Sequence, residues 1–141
     1  MNAGKAFFDT NILLYLLSGD TEKADRAEAL LMKGGVISVQ VLNEFAAVAS
    51  RKLGLSYPEI SEILHTVRAV CAVNPLTVEI HDLGLRIAER YGFSLYDALI
   101  VAAALLAGCE TLYSEDLQDR QTIEGRLQVR NPLACSGDAR A

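Results

Sequence analysis

Short apolar runs alternate along this chain with segments whose apolar residues recur at helical spacing. The runs short enough to be strands are residues 5–8, 36–39, 70–76, 110–113 and 127–129. The helical patterns between them are residues 21–33, 40–53, 59–70, 77–91 and 95–107. This alternation predicts an α/β domain, with a mainly parallel central sheet of four to five strands between two helical layers. The last run reads as an edge strand.

Composition indicates a single compact domain. The 141 residues are 51% hydrophobic and 22% charged, as in ordinary globular proteins. We expect residues 1–132 to form the domain and residues 133–141 to be a mobile tail. The three cysteines, Cys71, Cys109 and Cys135, form no C-x-x-C pair, so neither a disulfide scaffold nor a zinc site is indicated.

The apolar segments favour a soluble, cytoplasmic protein without membrane association. Asp9 follows Phe7 and Phe8 at once, so the N-terminus lacks the uninterrupted apolar core of a signal peptide. The longest apolar segment, residues 98–109, is too short to cross a bilayer and reads as a buried helix.

Four acidic residues occupy positions that a parallel α/β sheet brings to one edge. Asp9 and Asp116 follow predicted strands, Glu44 lies one turn into the helix after a strand, and Asp97 opens a helix that precedes one. Ligands of open α/β sheets bind beyond the carboxyl ends of the strands, where all four would lie. Each position also has a structural interpretation. These are helix N-cap for Asp9, boundary residue for Glu44, capping box with Ser94 for Asp97 and turn residue for Asp116.

Four carboxylates in one partly buried cleft would repel one another strongly unless something neutralised them. A divalent cation is the simplest counter-ion, and a site of oxygen ligands without cysteine or histidine suits Mg²⁺ or Mn²⁺. His65 and His81 lie within predicted helices, and neither has a ligand partner at metal spacing. We therefore predict that Asp9, Glu44, Asp97 and Asp116 bind one or two such ions and are the catalytic residues.

Four segments, FDTNILLYLL, SVQVLNEF, FSLYDALIVAAAL and LYSEDL, resemble in order and spacing the signature segments of PIN-domain ribonucleases. The size and layout are similar to those of the toxin in a VapBC toxin–antitoxin pair, from about Lys5 to Pro132. The resemblance implies a PIN-like fold, with the four acids as its metal site. It also implies orienting roles for Thr10, Asn11 and Ser114. Asp119 is either an additional acid or only a neighbour.

Such a site would hydrolyse phosphodiester bonds. Bound magnesium lowers the pKa of water and neutralises charge on the leaving oxygen, so RNA cleavage should leave 5′-phosphate and 3′-hydroxyl ends. The net charge of −5 argues against binding nucleic acid by bulk positive charge. Cations bound in the cleft would make its local charge positive, so that it could accept a polyanion. Arg120 and Arg126 are candidate phosphate contacts. The resemblance further implies a small antitoxin partner and a homodimer or a dimer-based hetero-oligomer.

Three other functions fit the sequence less well. A degenerate PIN domain would bind RNA or protein without catalysis, but the acid quartet is intact. A receiver-type signalling domain needs an acidic pair after the first strand and a late lysine, and no lysine follows Lys52. A haloacid-dehalogenase-like phosphatase needs D-x-D where this chain has Asp9-Thr10-Asn11.

Overall fold

The computed structural model describes residues 5–133. The predicted tail, residues 133–141, lies outside this range apart from Leu133. The strands are β1 (Ala6–Phe8), β2 (Gly35–Ser38), β3 (Cys71–Asn74), β4 (Thr111–Tyr113), β5 (Thr122–Ile123) and β6 (Leu127–Arg130). The helices are α1 (Thr10–Leu14), α2 (Thr21–Met32), α3 (Val39–Leu53), α4 (Tyr57–Val70), α5 (Val78–Tyr91) and α6 (Leu95–Leu106), and a 3₁₀ turn (Tyr15–Leu17) follows α1.

The strands form one sheet in the order β3-β2-β1-β4-β6-β5. All neighbours are parallel except β5 and β6, so the predicted fold class is confirmed. The sheet has six strands instead of the predicted four to five, because the two-residue strand β5 is too short to give a periodic signal. The prediction that residues 127–129 form an edge strand is wrong, since β6 lies between β4 and β5.

Both faces of the sheet are buried, as expected for a parallel sheet between helical layers. Phe7 and Leu112 are paired on neighbouring strands and fully buried on one face, while Phe8 and its partner Tyr113 stack on the other. The apolar segment predicted to be a buried helix is α6, and seven of its twelve residues are buried. It packs against α5, where Gly84 allows Leu99 to approach the α5 backbone closely. Within residues 5–133, no helix combines the length and the apolarity needed to cross a membrane.

The carboxyl edge of the sheet collects the segments that carry the predicted acids. Strands β1 and β4 end immediately before Asp9 and Ser114, and β2 runs directly into α3. The start of α6 reaches the same edge, since the Gln40 side chain at the start of α3 donates a hydrogen bond to the Tyr96 carbonyl oxygen at 3.2 Å. The parallel register therefore converts positions far apart in sequence into neighbours.

Gly35 gives a direct test of the packing between β1 and β2. A Cβ atom at this position would lie 2.5 Å from Phe8 Cε2 and 2.8 Å from the carbonyl oxygen of Ala6. We expect Gly35→Ala to lower the free energy of unfolding by about 1–3 kcal/mol, because the backbone oxygen cannot move aside without disturbing the strand pair.

The matched control is Gly19→Ala, since a Cβ atom at Gly19 meets no atom within 4 Å. Chemical denaturation of both variants should show a change only for Gly35→Ala. Equal stability of the two variants would contradict the close strand contact.

Candidate metal centre

Asp9 is a buried carboxylate whose two oxygens are both held by hydrogen bonds. It follows β1 directly and caps α1, with Oδ1 accepting from the Thr10 amide at 2.7 Å. Oδ2 accepts from the Ser114 hydroxyl at 2.7 Å. The side chain is only 4% exposed. The N-cap interpretation from the sequence is therefore correct, and these bonds fix the direction of the carboxylate as well.

Asp97 and Asp116 complete a cluster with Asp9. Each of the three residues offers a carboxylate oxygen, and these oxygens lie within 4.8 Å of one another. Asp97 is half-buried in the first turn of α6, and Asp116 is exposed in the loop after β4. The Ser114 hydroxyl accepts a hydrogen bond from the Asp116 amide at 3.1 Å, so one serine orients both Asp9 and the Asp116 backbone. Three oxygen ligands in this arrangement fit a hard divalent cation.

The electrostatics show that the cluster lacks a compensating charge of its own. The pKa of Asp9 is raised from 3.8 to about 7, mainly by burial and to a smaller extent by the charges of Asp116 and Asp97, although its hydrogen bonds to Ser114 and Thr10 act to lower it. Burial and the Asp116 charge also raise the pKa of Asp97. No ion pair formed within residues 5–133 involves any of these three carboxylates. A cation bound between them would relieve this repulsion.

The capping box predicted for Asp97 is only half formed. Ser94 Oγ accepts from the Asp97 amide at 3.3 Å, whereas on α4 both Ser56 and Glu59 contribute to a reciprocal pair. The Asp97 carboxylate is therefore not committed to the backbone of its own helix and can serve the cluster.

Glu44 lies beside this three-residue cluster and is not part of it. Its Oε1 accepts from the Thr10 hydroxyl at 2.5 Å, and its Oε2 accepts from Gln40 Nε2 at 3.1 Å. Its charge contributes to the raised pKa of Asp97, after burial and Asp116, so the carboxylate faces the site. The structure thus brings Asp9, Asp97 and Asp116 together as one site for an ion, with Glu44 at its margin.

Of the predicted supporting residues, Thr10 and Ser114 form hydrogen bonds with the acids, and Asn11 bonds the adjoining loop. Thr10 bridges Asp9 and Glu44 through its amide and its hydroxyl. Asn11 Oδ1 accepts from the Glu115 amide at 3.3 Å and so ties α1 to the loop that carries Asp116. The Nδ2 atom of Asn11 is buried and has no hydrogen-bond partner in the described part of the chain.

Asp119 is not in the cluster. Its segment forms bends and turns, so Asp119 does not follow Asp116 on a helix. Its Oδ1 accepts from the Asn131 amide at 2.8 Å and lies 3.9 Å from Arg130 Nε. These contacts give Asp119 a structural role at the end of β6.

The two arginines lie at opposite ends of the β5–β6 hairpin. The Arg120 amide donates to the Val129 carbonyl near the carboxyl end of β6, and its exposed guanidinium Nε lies 3.8 Å from Asp119 Oδ2. Arg126 precedes β6, which is parallel to β4, and therefore lies at the amino edge of the sheet. The structure does not bring Arg126 to the acidic cluster.

Sequence reasoning missed two contributors to this region. Gln40 is only 7% exposed and links Glu44 to the Tyr96 carbonyl, joining α3 to the start of α6. The spacing of four residues between Gln40 and Glu44 on one helix was the available signal. The Tyr15 hydroxyl donates to the Glu115 carboxylate, and burial and this contact raise the pKa of Tyr15. Nothing in the sequence pattern connects Tyr15 with Glu115.

Several solved structures resemble the fold. A chain of a toxin–antitoxin complex from Klebsiella pneumoniae is 26% identical, with a TM-score of 0.69, 91% of this chain covered and 98% of that one. The Mycobacterium tuberculosis toxin VapC20, which cleaves the sarcin–ricin loop, is 20% identical, with a TM-score of 0.65 over 79% of this chain and 90% of that one.

A third structure, VapBC2 from Rickettsia felis bound to a DNA fragment from its promoter, is 19% identical, with a TM-score of 0.65, 89% of this chain covered and 97% of that one. No curated protein sequence matches the chain. The family model of the PIN domain matches residues 6–122, which include all of the acidic cluster. The chain therefore belongs to the PIN-domain family.

Proposed function

We propose that this protein is a metal-dependent endoribonuclease and the toxin of a toxin–antitoxin pair. The observation that carries the proposal is the convergence of Asp9, Asp97 and Asp116 within 4.8 Å, with Asp9 buried and no cationic side chain paired to them within residues 5–133. A degenerate binding module would have no need for this arrangement, since clustered carboxylates raise the energy of the folded state.

Mg²⁺ or Mn²⁺ fits the donor set, which consists only of carboxylate oxygens. When bound, such an ion activates water and stabilises charge on the reacting phosphate. The chain's own contribution is to fix the ligands. Ser114 and Thr10 hold the two oxygens of Asp9, while Thr10 and Gln40 hold those of Glu44. We propose that Glu44, at the margin of the cluster, positions a second ion or a water molecule.

RNA is the proposed substrate, with 5′-phosphate and 3′-hydroxyl ends as products. The net charge of −5 would otherwise repel a polyanion, so affinity depends on cations at the cluster. Arg120, exposed near the carboxyl edge of the sheet, is a candidate phosphate contact. The assignment to RNA is supported by the fold shared with a toxin that cleaves an RNA loop.

The proposed partner is a small antitoxin that covers the cluster and carries the DNA-binding function. Similar chains are found in toxin–antitoxin complexes, one of them bound to promoter DNA. We also propose that the protein works in the cytoplasm, that residues 1–132 form one domain, and that it assembles as a homodimer or a dimer-based hetero-oligomer.

Removing one carboxylate should abolish cleavage without unfolding the protein. We expect Asp9→Asn and Asp97→Asn each to reduce RNA cleavage by more than about 100-fold, because each removes a charged ligand. The fold should be kept, since asparagine can still cap α1 and the N-cap of α6 is Ser94. EDTA should abolish wild-type cleavage, and Mg²⁺ or Mn²⁺ should restore it better than Ca²⁺.

The matched control is Asp25→Asn, which removes an exposed carboxylate from α2. Gel assays with 5′-end mapping would measure all four proteins under the same conditions. Cleavage that survives EDTA, or full activity of either site variant, would refute the mechanism.

The raised pKa of Asp9 predicts a pH-dependent stability. Because folding raises this pKa from 3.8 to about 7, the folded protein holds the proton more tightly than the unfolded chain. The free energy of unfolding therefore falls as pH rises between these two values. Asp9→Asn removes this contribution, so in EDTA its stability relative to wild type should increase from pH 4 to pH 7.

Thermal melts of the two proteins across this range, with and without Mg²⁺, would measure the difference. Saturating Mg²⁺ at pH 7.5 should reduce the stability advantage of Asp9→Asn over wild type, because the ion binds the complete cluster of wild type more tightly. A stability difference that does not change with pH would contradict the electrostatic account of Asp9.

A further inference from the structure

A pocket of about 340 Å³ opens next to the acidic cluster, between α3, α5 and α6. Its walls include Asn43, Leu76, Ile80, His81, Tyr96 and Leu99. Glu44, at the margin of the acidic cluster, lines the pocket as well. We propose that this pocket binds the base of a nucleotide next to the scissile phosphate, an inference that rests on the proposed ribonuclease function.

The pocket lies within reach of the reacting phosphate. Tyr96 directly precedes Asp97, and Gln40 bridges the Glu44 carboxylate and the Tyr96 carbonyl. A residue that lines the pocket, Tyr96, is therefore the sequence neighbour of a residue of the acidic cluster, Asp97. Since a base is joined to its phosphate through a single sugar, a nucleotide bound at the cluster can place its base here.

The lining suits a flat heterocycle that carries no charge. Leu76, Ile80 and Leu99 provide apolar walls, and Tyr96 is 64% exposed, so a base can stack on its ring. The Glu44 carboxylate on the wall disfavours a second phosphate or any other anion. The volume is near the lower end of the range of about 300–1,000 Å³ found for small-ligand pockets, so one base is a better fit than a large ligand.

Two polar groups are available to read the base edge. The side chains of Asn43 and His81 line the pocket, and neither forms a hydrogen bond with any residue in the range 5–133. The Asn43 amide offers both donors and an acceptor, which can pair with the polar edge of a base. A purely apolar side chain of a protein partner would contact the apolar walls but would form no hydrogen bond with Asn43 or His81.

The test is a double-mutant cycle, in which the effects of a protein variant and of removing one RNA base on kcat/KM are measured separately and together. Single-stranded oligoribonucleotides with one mapped cut site would be compared with versions that carry an abasic ribose at each position next to the cut. We expect wild-type kcat/KM to fall about 10-fold for one abasic position. Tyr96→Ala should show a similar loss on intact RNA but no further loss on that abasic RNA. Tyr96→Phe should behave as wild type, because the ring is retained.

The matched control is Tyr57→Ala, which removes another exposed tyrosine, 74% exposed, from the start of α4. This variant should lose neither activity nor sensitivity to the abasic position. Asn43→Ala should change the preferred base at the same position. The proposal would be overturned if the losses in kcat/KM from Tyr96→Ala and from the abasic ribose multiplied, because the two changes would then act independently. Full activity of Tyr96→Ala would also overturn it, and a side chain of a protein partner would then be the better candidate to fill the pocket.

A binding measurement separates this inference from the proposed function. Fluorescence anisotropy of the same labelled oligonucleotides on the inactive Asp97→Asn protein reports base contact without cleavage. If wild type cuts no RNA, an abasic ribose is placed in turn at every position of the oligonucleotide. Weaker binding to Asp97→Asn, but not to the double variant Asp97→Asn/Tyr96→Ala, at one such position would mean that the nuclease function fails and the base pocket stands. If wild type cuts RNA and neither assay shows coupling, the nuclease function stands and the pocket fails.

Discussion

The burial of Asp9 at the end of β1 is the constraint on which the rest of the site depends. A buried carboxylate is unfavourable unless hydrogen bonds and an opposite charge compensate it. Ser114 and Thr10 supply the hydrogen bonds, but the neighbouring Asp97 and Asp116 add charge of the same sign. The fold therefore holds the carboxylate in place and leaves its charge to be neutralised by something that binds. Such a cluster is suited to binding a cation.

The parallel sheet makes that arrangement rigid. Asp9 and Ser114 are 105 residues apart, yet they meet because β1 and β4 pair directly and end at the same level. Thr10 and Gln40 then connect α1, α3 and α6 through Glu44 and the Tyr96 carbonyl. Each link joins different elements, so the positions of the acids depend on the whole sheet edge and not on one flexible loop.

The sequence was sufficient for the fold class and for the three clustered acids. Asp9, Asp97 and Asp116 each adjoin a strand or open a helix whose direction the parallel topology determines. The segment after Ser114 was less predictable, because bends and turns have no period that places Asp119 or Arg120. Arg126 was misplaced for a related reason, since the two-residue strand β5 reverses the chain without an apolar pattern. The spacing of Gln40 and Glu44 on α3 was a signal for their contact, but the second partner of Gln40, the Tyr96 carbonyl, becomes evident only when α3 and α6 are seen together.

If this acidic protein is the proposed ribonuclease, it must attract RNA through local contacts and not through its net charge. Nucleic-acid-binding proteins usually gain affinity from many basic side chains, and that affinity carries little sequence information. With a net charge of −5, this chain has no such general affinity. For the proposed ribonuclease, RNA binding would then depend on a cation at the cluster and on contacts that do not involve charge, such as the proposed stacking on Tyr96. Because these contacts act on bases and not on phosphates, weak general affinity favours selectivity. For the proposed ribonuclease, the pocket beside Glu44 would therefore contribute much of the selectivity among RNA sequences.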